Sequence, residues 1–203
     1  MQIVLHLNDL PEGLVFPHGV AVDTETMGLK IGRDRLCLVQ LCGGDDVCHL
    51  VRIASTVALA PNLTHLLTDP AVLKIFHFAR FDVSILEKTF QISILSFYCT
   101  KLASKIARTY TDRHGLKDLC KQLLQVDLSK EEQTSDWGND TLTPEQQRYA
   151  ANDVLYLHAL KEHLDATLMR EGKTKLFQAS LRALAEMIQI EKAGFNVEDL
   201  FRH

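Results

Sequence analysis

Acidic residues carry the chemistry this chain advertises, and they fall in three places. Asp23 and Glu25 stand two apart at the end of the β-branched run Val20–Asp23. Side chains two apart on a strand share a face, so both carboxylates are expected to converge there. Hard divalent cations take clustered carboxylate oxygens of this kind, although acids at a strand end also serve as plain solvated charges. Asp82 follows Phe81 at the start of a helical stretch. A carboxylate there interacts favourably with the helix dipole. Phe76, Phe78, Phe81 and Val83 make the neighbourhood apolar, which renders an unpartnered charge costly. In the third place, Thr143-Pro144-Glu145-Gln146 puts Thr at a helix N-cap, Pro at the first position and Gln at the third, a capping box. Tyr149 and Asp153 then lie four apart on one helix face. By itself that pair is compatible with a core hydrogen bond.

Two textures must position these groups. Up to about Phe90, short β-branched runs alternate with turns; beyond Thr100 the pattern is almost wholly helical. Strands are expected at Val20–Asp23, Leu36–Leu41, Val47–Val51 and Leu73–Phe76, with an early one around Ile3–Leu7. Gly43-Gly44-Asp45-Asp46 is a hairpin signal between two of them. Helices are expected near 57–67, closed by Asp69-Pro70, and near 81–89, 101–107, 116–125, 144–169 and 175–193. This order predicts an α/β fold with a mixed sheet, helices on its faces and a helical C-terminal half. The most loop-like stretch, 127–142, contains the only tryptophan.

Composition narrows the possibilities. The chain has 203 residues, 46% hydrophobic and 24% charged, which suits one globular domain, or one with a helical appendage, and excludes wholesale disorder. A net charge of −4 argues against a protein that coats long nucleic acid. No apolar run reaches the length of a membrane span and no signal peptide is evident, so a cytoplasmic protein is expected. Five cysteines without a CxxC pair read as reduced, buried thiols, and Cys37, Cys42, Cys48 and His49 as core residues rather than a zinc site. His158 and His163 read as interface or surface residues. Neither a phosphate-binding GxxxxGK[ST] loop nor an HExxH or GxSxG motif occurs.

Taken together and in order, the acidic segments resemble the DEDD exonuclease superfamily in its tyrosine-containing, ribonuclease D-like branch. The matching motifs are Val22–Leu29 (VDTETMGL), His77–Asp82 (HFARFD) and Tyr149–Val154 (YAANDV), and the loop Glu132–Trp137 (EQTSDW) adds to them. The likeness covers about residues 15–170, and the short chain is most similar to the single-domain nano-RNase C group. Phe78 departs from the pattern, which often has Asn there. The resemblance implies a ribonuclease H-like fold, with residues 1–170 as the exonuclease domain. Residues 171–203 are then a helical extension packing on it or on a neighbouring subunit, with no HRDC module. It implies metal-dependent 3′-5′ hydrolysis of very short oligoribonucleotides, dinucleotides especially, by a homo-oligomer, an octameric ring among the forms expected. Longer single-stranded RNA or DNA ends and an inactive binding module are the alternatives. Asp23, Glu25, Asp82 and Asp153 would hold two Mg²⁺ or Mn²⁺ ions, and Tyr149 would orient the attacking water. Thr26, Leu29, His77, Arg80, Lys101 and Gln133 would contact substrate. Leu29 is equally readable as a packing residue after the strand.

Between Cys99 and Lys121 stand Lys101, Lys105, Arg108, Arg113, Lys117 and Lys121 against only Asp112 and Asp118. Lys101, Lys105 and Arg108 have the spacing of one helix face. The run reads either as a solvated face or as a local phosphate funnel beside an acidic site, suited to a substrate with few phosphates.

Overall fold

The computed structural model describes residues 1–54, 59–128 and 135–202. Six strands, β1 (Gln2–Leu7), β2 (Val20–Thr26), β3 (Leu36–Cys42), β4 (Val47–Arg52), β5 (Lys74–Phe76) and β6 (Phe97–Cys99), form one mixed sheet in the order β1-β4-β3-β2-β5-β6. Strands β2, β3 and β4 are antiparallel; β1 runs parallel to β4, and β5 parallel to both β2 and β6. Every residue of β3 is buried, which is what an unbroken LCLVQLC run requires of a strand covered on both faces. The β3–β4 hairpin turns where expected, with Gly44 and Asp46 at positive φ.

Helices α1 (Pro61–Thr68), α2 (Ala79–Phe90) and α7 (Thr174–Lys192) cover the face carrying Val20, Val22, Val39 and Leu41. The opposite face, carrying Ala21, Cys42 and Cys48, is covered by α3 (Thr100–Ala107), α5 (Pro144–Leu155) and α6 (Leu157–Arg170). Alternation along β2 therefore sends Asp23 and Glu25 toward the α5 side and Thr24 toward α2. All five cysteines are free and buried.

Several elements differ from expectation. The helix expected over 144–169 is two, because the chain bends at Tyr156 (φ −101, ψ −1). No Pro or Gly marks the break; α5 lies across β2, β3 and β4 while α6 packs on α3, and one straight axis cannot serve both. The helix expected from Val57 begins at Pro61, and residues 55–58 lie outside the described residues. Strand β6 was hidden by its three-residue length. The helix α4 (Leu116–Leu119) continues as a π-helical turn over Cys120–Leu124 and stops at Gln125 in the left-handed region. A short α8 (Val197–Leu200), capped by Asn196, ends the chain. Among the described residues no helix is long and apolar enough to cross a membrane.

Candidate active site

The two acids of β2 meet the acid of α5. One carboxylate oxygen each from Asp23, Glu25 and Asp153 lies within 4.8 Å of the others. On β2 the pairing register with β3 shifts between Glu25 and Thr26, a bulge that re-aims the strand end. On α5 the capping box is complete: Thr143 Oγ1 accepts from Gln146 N, and Thr143 N donates to Gln146 Oε1. Its first turn is thus fixed one turn before Tyr149 and two before Asp153. Asp82 arrives from the other helical layer. Thr24, pointing opposite to its two acidic neighbours, donates from Oγ1 to Asp82 Oδ1 at 2.6 Å.

Burial and like charge dominate the electrostatics. Burial first, then the charges of Asp82, Asp153 and Glu25, hold the Asp23 carboxyl well above the usual range. Glu25 is pushed up to about 9 by burial and then by Asp153 and Asp82. Asp153 rises to about 7 through burial and the neighbouring Asp82 charge. Asp82 also rises to about 7, by burial, with the Thr24 hydrogen bond opposing. Among the described residues no Lys or Arg forms an ion pair with any of the four. An all-oxygen cluster of partly buried, mutually repelling acids, with no cationic side chain paired to it among the described residues, fits divalent metal ions of the Mg²⁺ or Mn²⁺ kind.

Tyr149 borders the cluster. Burial raises its phenol above the ordinary range, and the Asp153, Glu25 and Asp23 charges raise it further. Its ring lies 6.1 Å from that of Trp137, which is buried. Gln146 Nε2 ties that loop to α5 through Ser135 Oγ (2.7 Å) and the Asp136 carbonyl (3.2 Å).

The expected substrate contacts divide. Thr26 Oγ1 donates to the Gly28 carbonyl at 2.6 Å, and Asp34 braces the same turn by accepting from Lys30 N at 2.9 Å and from Arg33. The turn holds Leu29 out, 82% exposed, so the packing reading of that residue does not hold. His77 shares a hydrogen bond with Thr100 Oγ1 at 2.9 Å, and burial first, then Lys101, pushes its imidazole down to about 3. Arg80 is engaged by Glu191 of α7 through both Nε and Nη2. Lys101 lies over the Phe78 ring. Gln133 lies outside the described residues. The basic face is smaller than the spacing suggests. Arg108 ends α3, is buried, and spends its guanidinium on Ser104, Gln122 and the Arg113 carbonyl. Lys117 and Lys121 pair with Asp127. His158 is a structural residue, its Nε2 3.2 Å from the Cys42 carbonyl.

Three residues near the site were not singled out from sequence. Thr24 sits inside the acidic motif and carries no signal of its own. Gln40, directly across from Asp23 on β3, puts its Nε2 3.5 Å from Asp23 Oδ2. A lone amide inside a strand that is otherwise fully apolar was the available signal. Glu191 had no local signal, since its partner lies 111 positions away.

Comparison with known proteins places this geometry. A family described as 3′-5′ exonuclease matches residues 6–169. Ribonuclease D of Gluconacetobacter diazotrophicus is 34% identical over 167 residues, covering 82% of this chain and 42% of that protein. The chain thus spans less than half the length of that curated relative. The structure of Brucella melitensis NrnC bound to pGG superposes with a TM-score of 0.95 at 45% identity, covering 100% of this chain and 99% of that one. The same protein with bound Mg²⁺ gives 0.94 at 45% identity, with full coverage of both chains.

Proposed function

The chain belongs to the 3′-5′ exonuclease family, in the DEDD superfamily that includes ribonuclease D, and from that membership we propose that it is a metal-dependent 3′-5′ exoribonuclease acting on very short oligoribonucleotides, dinucleotides especially. The carrying observation is the convergence of Asp23, Glu25 and Asp153 with Asp82 beside them, acids from three distant segments, with no Lys or Arg paired to them among the described residues. Residues 1–170 form the catalytic unit and 171–203 a helical extension.

Asp23, Glu25, Asp82 and Asp153 would hold two divalent cations. Bound in this way, such ions lower the pKa of water and offset charge on the attacking and leaving oxygens of a phosphodiester. Thr24 fixes Asp82, and Gln40 stands against Asp23, so the carboxylates are oriented before substrate arrives. Tyr149 keeps its proton at neutral pH, because its neighbours raise an already high pKa; it orients a water through a hydrogen bond instead of abstracting the proton itself. The Trp137 ring limits where the phenol can go. Leu29, held out by its braced turn, has the exposure needed to wedge between bases.

The preference for short substrates is supported by the likeness, over the whole chain, to a protein whose structure holds pGG. A homo-oligomeric ring would confine access in the same sense. Five buried free thiols accord with a reducing, cytoplasmic setting. Initial rates on a diribonucleotide and a heptaribonucleotide, at equal concentration with Mg²⁺ or Mn²⁺, test the proposal. The dinucleotide is expected to be cleaved faster, with EDTA abolishing both reactions. Faster cleavage of the heptamer would favour the longer-substrate alternative, and no metal-dependent cleavage of either would refute the exonuclease reading.

A further inference from the structure

A groove of about 390 Å³ lies between the start of α2, α3 and the middle of α7. Phe78 lines it, 49% exposed at the N-cap of α2, four residues before Asp82. An aromatic ring left half open at a helix start forfeits burial that phenylalanine ordinarily gains. Lys101 Nζ stands 4.4 Å from the ring centroid, and Lys105, one helical turn further along α3, lines the same groove. Among the described residues neither lysine has an ion-pair partner. The lining contains no acidic residue. The larger cleft beside Leu29, about 900 Å³, instead carries Glu87, Lys88, Glu191 and Lys192, charges of both signs.

Resting on the exonuclease reading, we propose that Phe78 is a base platform for the nucleotide on the 5′ side of the scissile bond, with Lys101 and Lys105 drawing in its phosphate backbone. An open ring flanked by unpaired cations is the arrangement that holds single-stranded nucleic acid, because every base has a face to stack and every step a phosphate. The side follows from the direction of the reaction. A 3′-5′ exonuclease has a single nucleotide 3′ of the bond it cleaves, so further phosphates lie only 5′ of it. The groove with cations alone suits that side; the mixed-charge cleft does not. Lys101 covers part of the Phe78 ring and leaves the rest to the groove.

A double-mutant cycle tests this. Wild-type protein and Phe78→Leu are each assayed with Mg²⁺ on pGG and on a pGG analogue whose 5′ nucleoside lacks its base. Phe78→Leu is expected to lower kcat/KM on pGG about tenfold. Removing the base is expected to cost wild type a similar factor and to cost the variant little more, since either change abolishes the same contact. Phe78→Trp should stay within about threefold of wild type. Losses that multiply to about a hundredfold, an unchanged Phe78→Leu on pGG, or a Trp variant as impaired as Leu would overturn the platform. Failure of the wild-type protein to cleave pGG at all would instead refute the exonuclease reading, and the platform with it.

Discussion

In metal-free protein, replacing Glu25 by Gln is expected to stabilise the fold while abolishing the site's purpose. Glu25 has a folded pKa of about 9 against an ordinary value of 4.5. Native protein therefore keeps this proton at a pH where the unfolded chain has released it, and stability falls as pH rises from about 4.5 toward about 9. At pH 7 the difference of about 2.5 pH units from the unfolded value corresponds to about 3 kcal/mol. Gln carries no such proton and keeps the size of neutral Glu, so the variant avoids most of that loss. In a chain of 203 residues, about 3 kcal/mol shifts Tm by roughly 6–12 °C. Thermal melts of both proteins in EDTA should show the variant more stable by about this much at pH 7. The gap should shrink below about 1 kcal/mol at pH 5, which is only about half a unit above the unfolded value, so that the unfolded chain gains little by releasing the proton. Mg²⁺ should then raise the Tm of wild type more than that of the variant, because the missing carboxylate is one of the groups that would hold the ion. Equal Tm values in EDTA at pH 7, or a gap that is the same at pH 5 and pH 8, would refute the claim that burial and neighbouring acids strain this site.

Tyr149→Phe is expected to lower turnover about a hundredfold while Mn²⁺ binding by calorimetry is unchanged, the separation that a water-orienting phenol requires; undiminished turnover removes that role. Glu191→Gln should release Arg80 and loosen α7 from α2, costing about 1 kcal/mol or less because the pair is partly exposed. The expected drop in Tm is a few degrees, and an unchanged Tm would show that the pair does not help hold α7.

Much of the protein was legible in order of residue types. The three acidic segments, the capping box that starts α5, the fully apolar β3 and the Gly-Asp hairpin all obey local rules, in which side-chain period, a cap or a positive φ is set by residues within a few positions. The α/β order followed from those elements. Local rules could not break the 144–169 helix at Tyr156, because the bend answers to two different packing partners and to nothing in its own residues. They also credited Arg108 to an open basic face shared with Lys101 and Lys105, solvated or phosphate-drawing, whereas the folded chain buries it against Gln122 and the Arg113 carbonyl.

Sequence alone determined which side chains were available for chemistry and which face of each element they occupy. Only tertiary structure decided which of them meet. The sheet brings Asp23 and Glu25 to Asp153, and Thr24 reaches Asp82 from the opposite face. The same folding hands Arg80 to Glu191 and leaves Phe78 open beside two lysines. Strand and helix periods are short-range and readable in any window of ten residues. The raised carboxyl pKa values, by contrast, arise from burial and from charges of residues up to 130 positions apart, Asp23 and Asp153, and these exist only once the chain has closed around them.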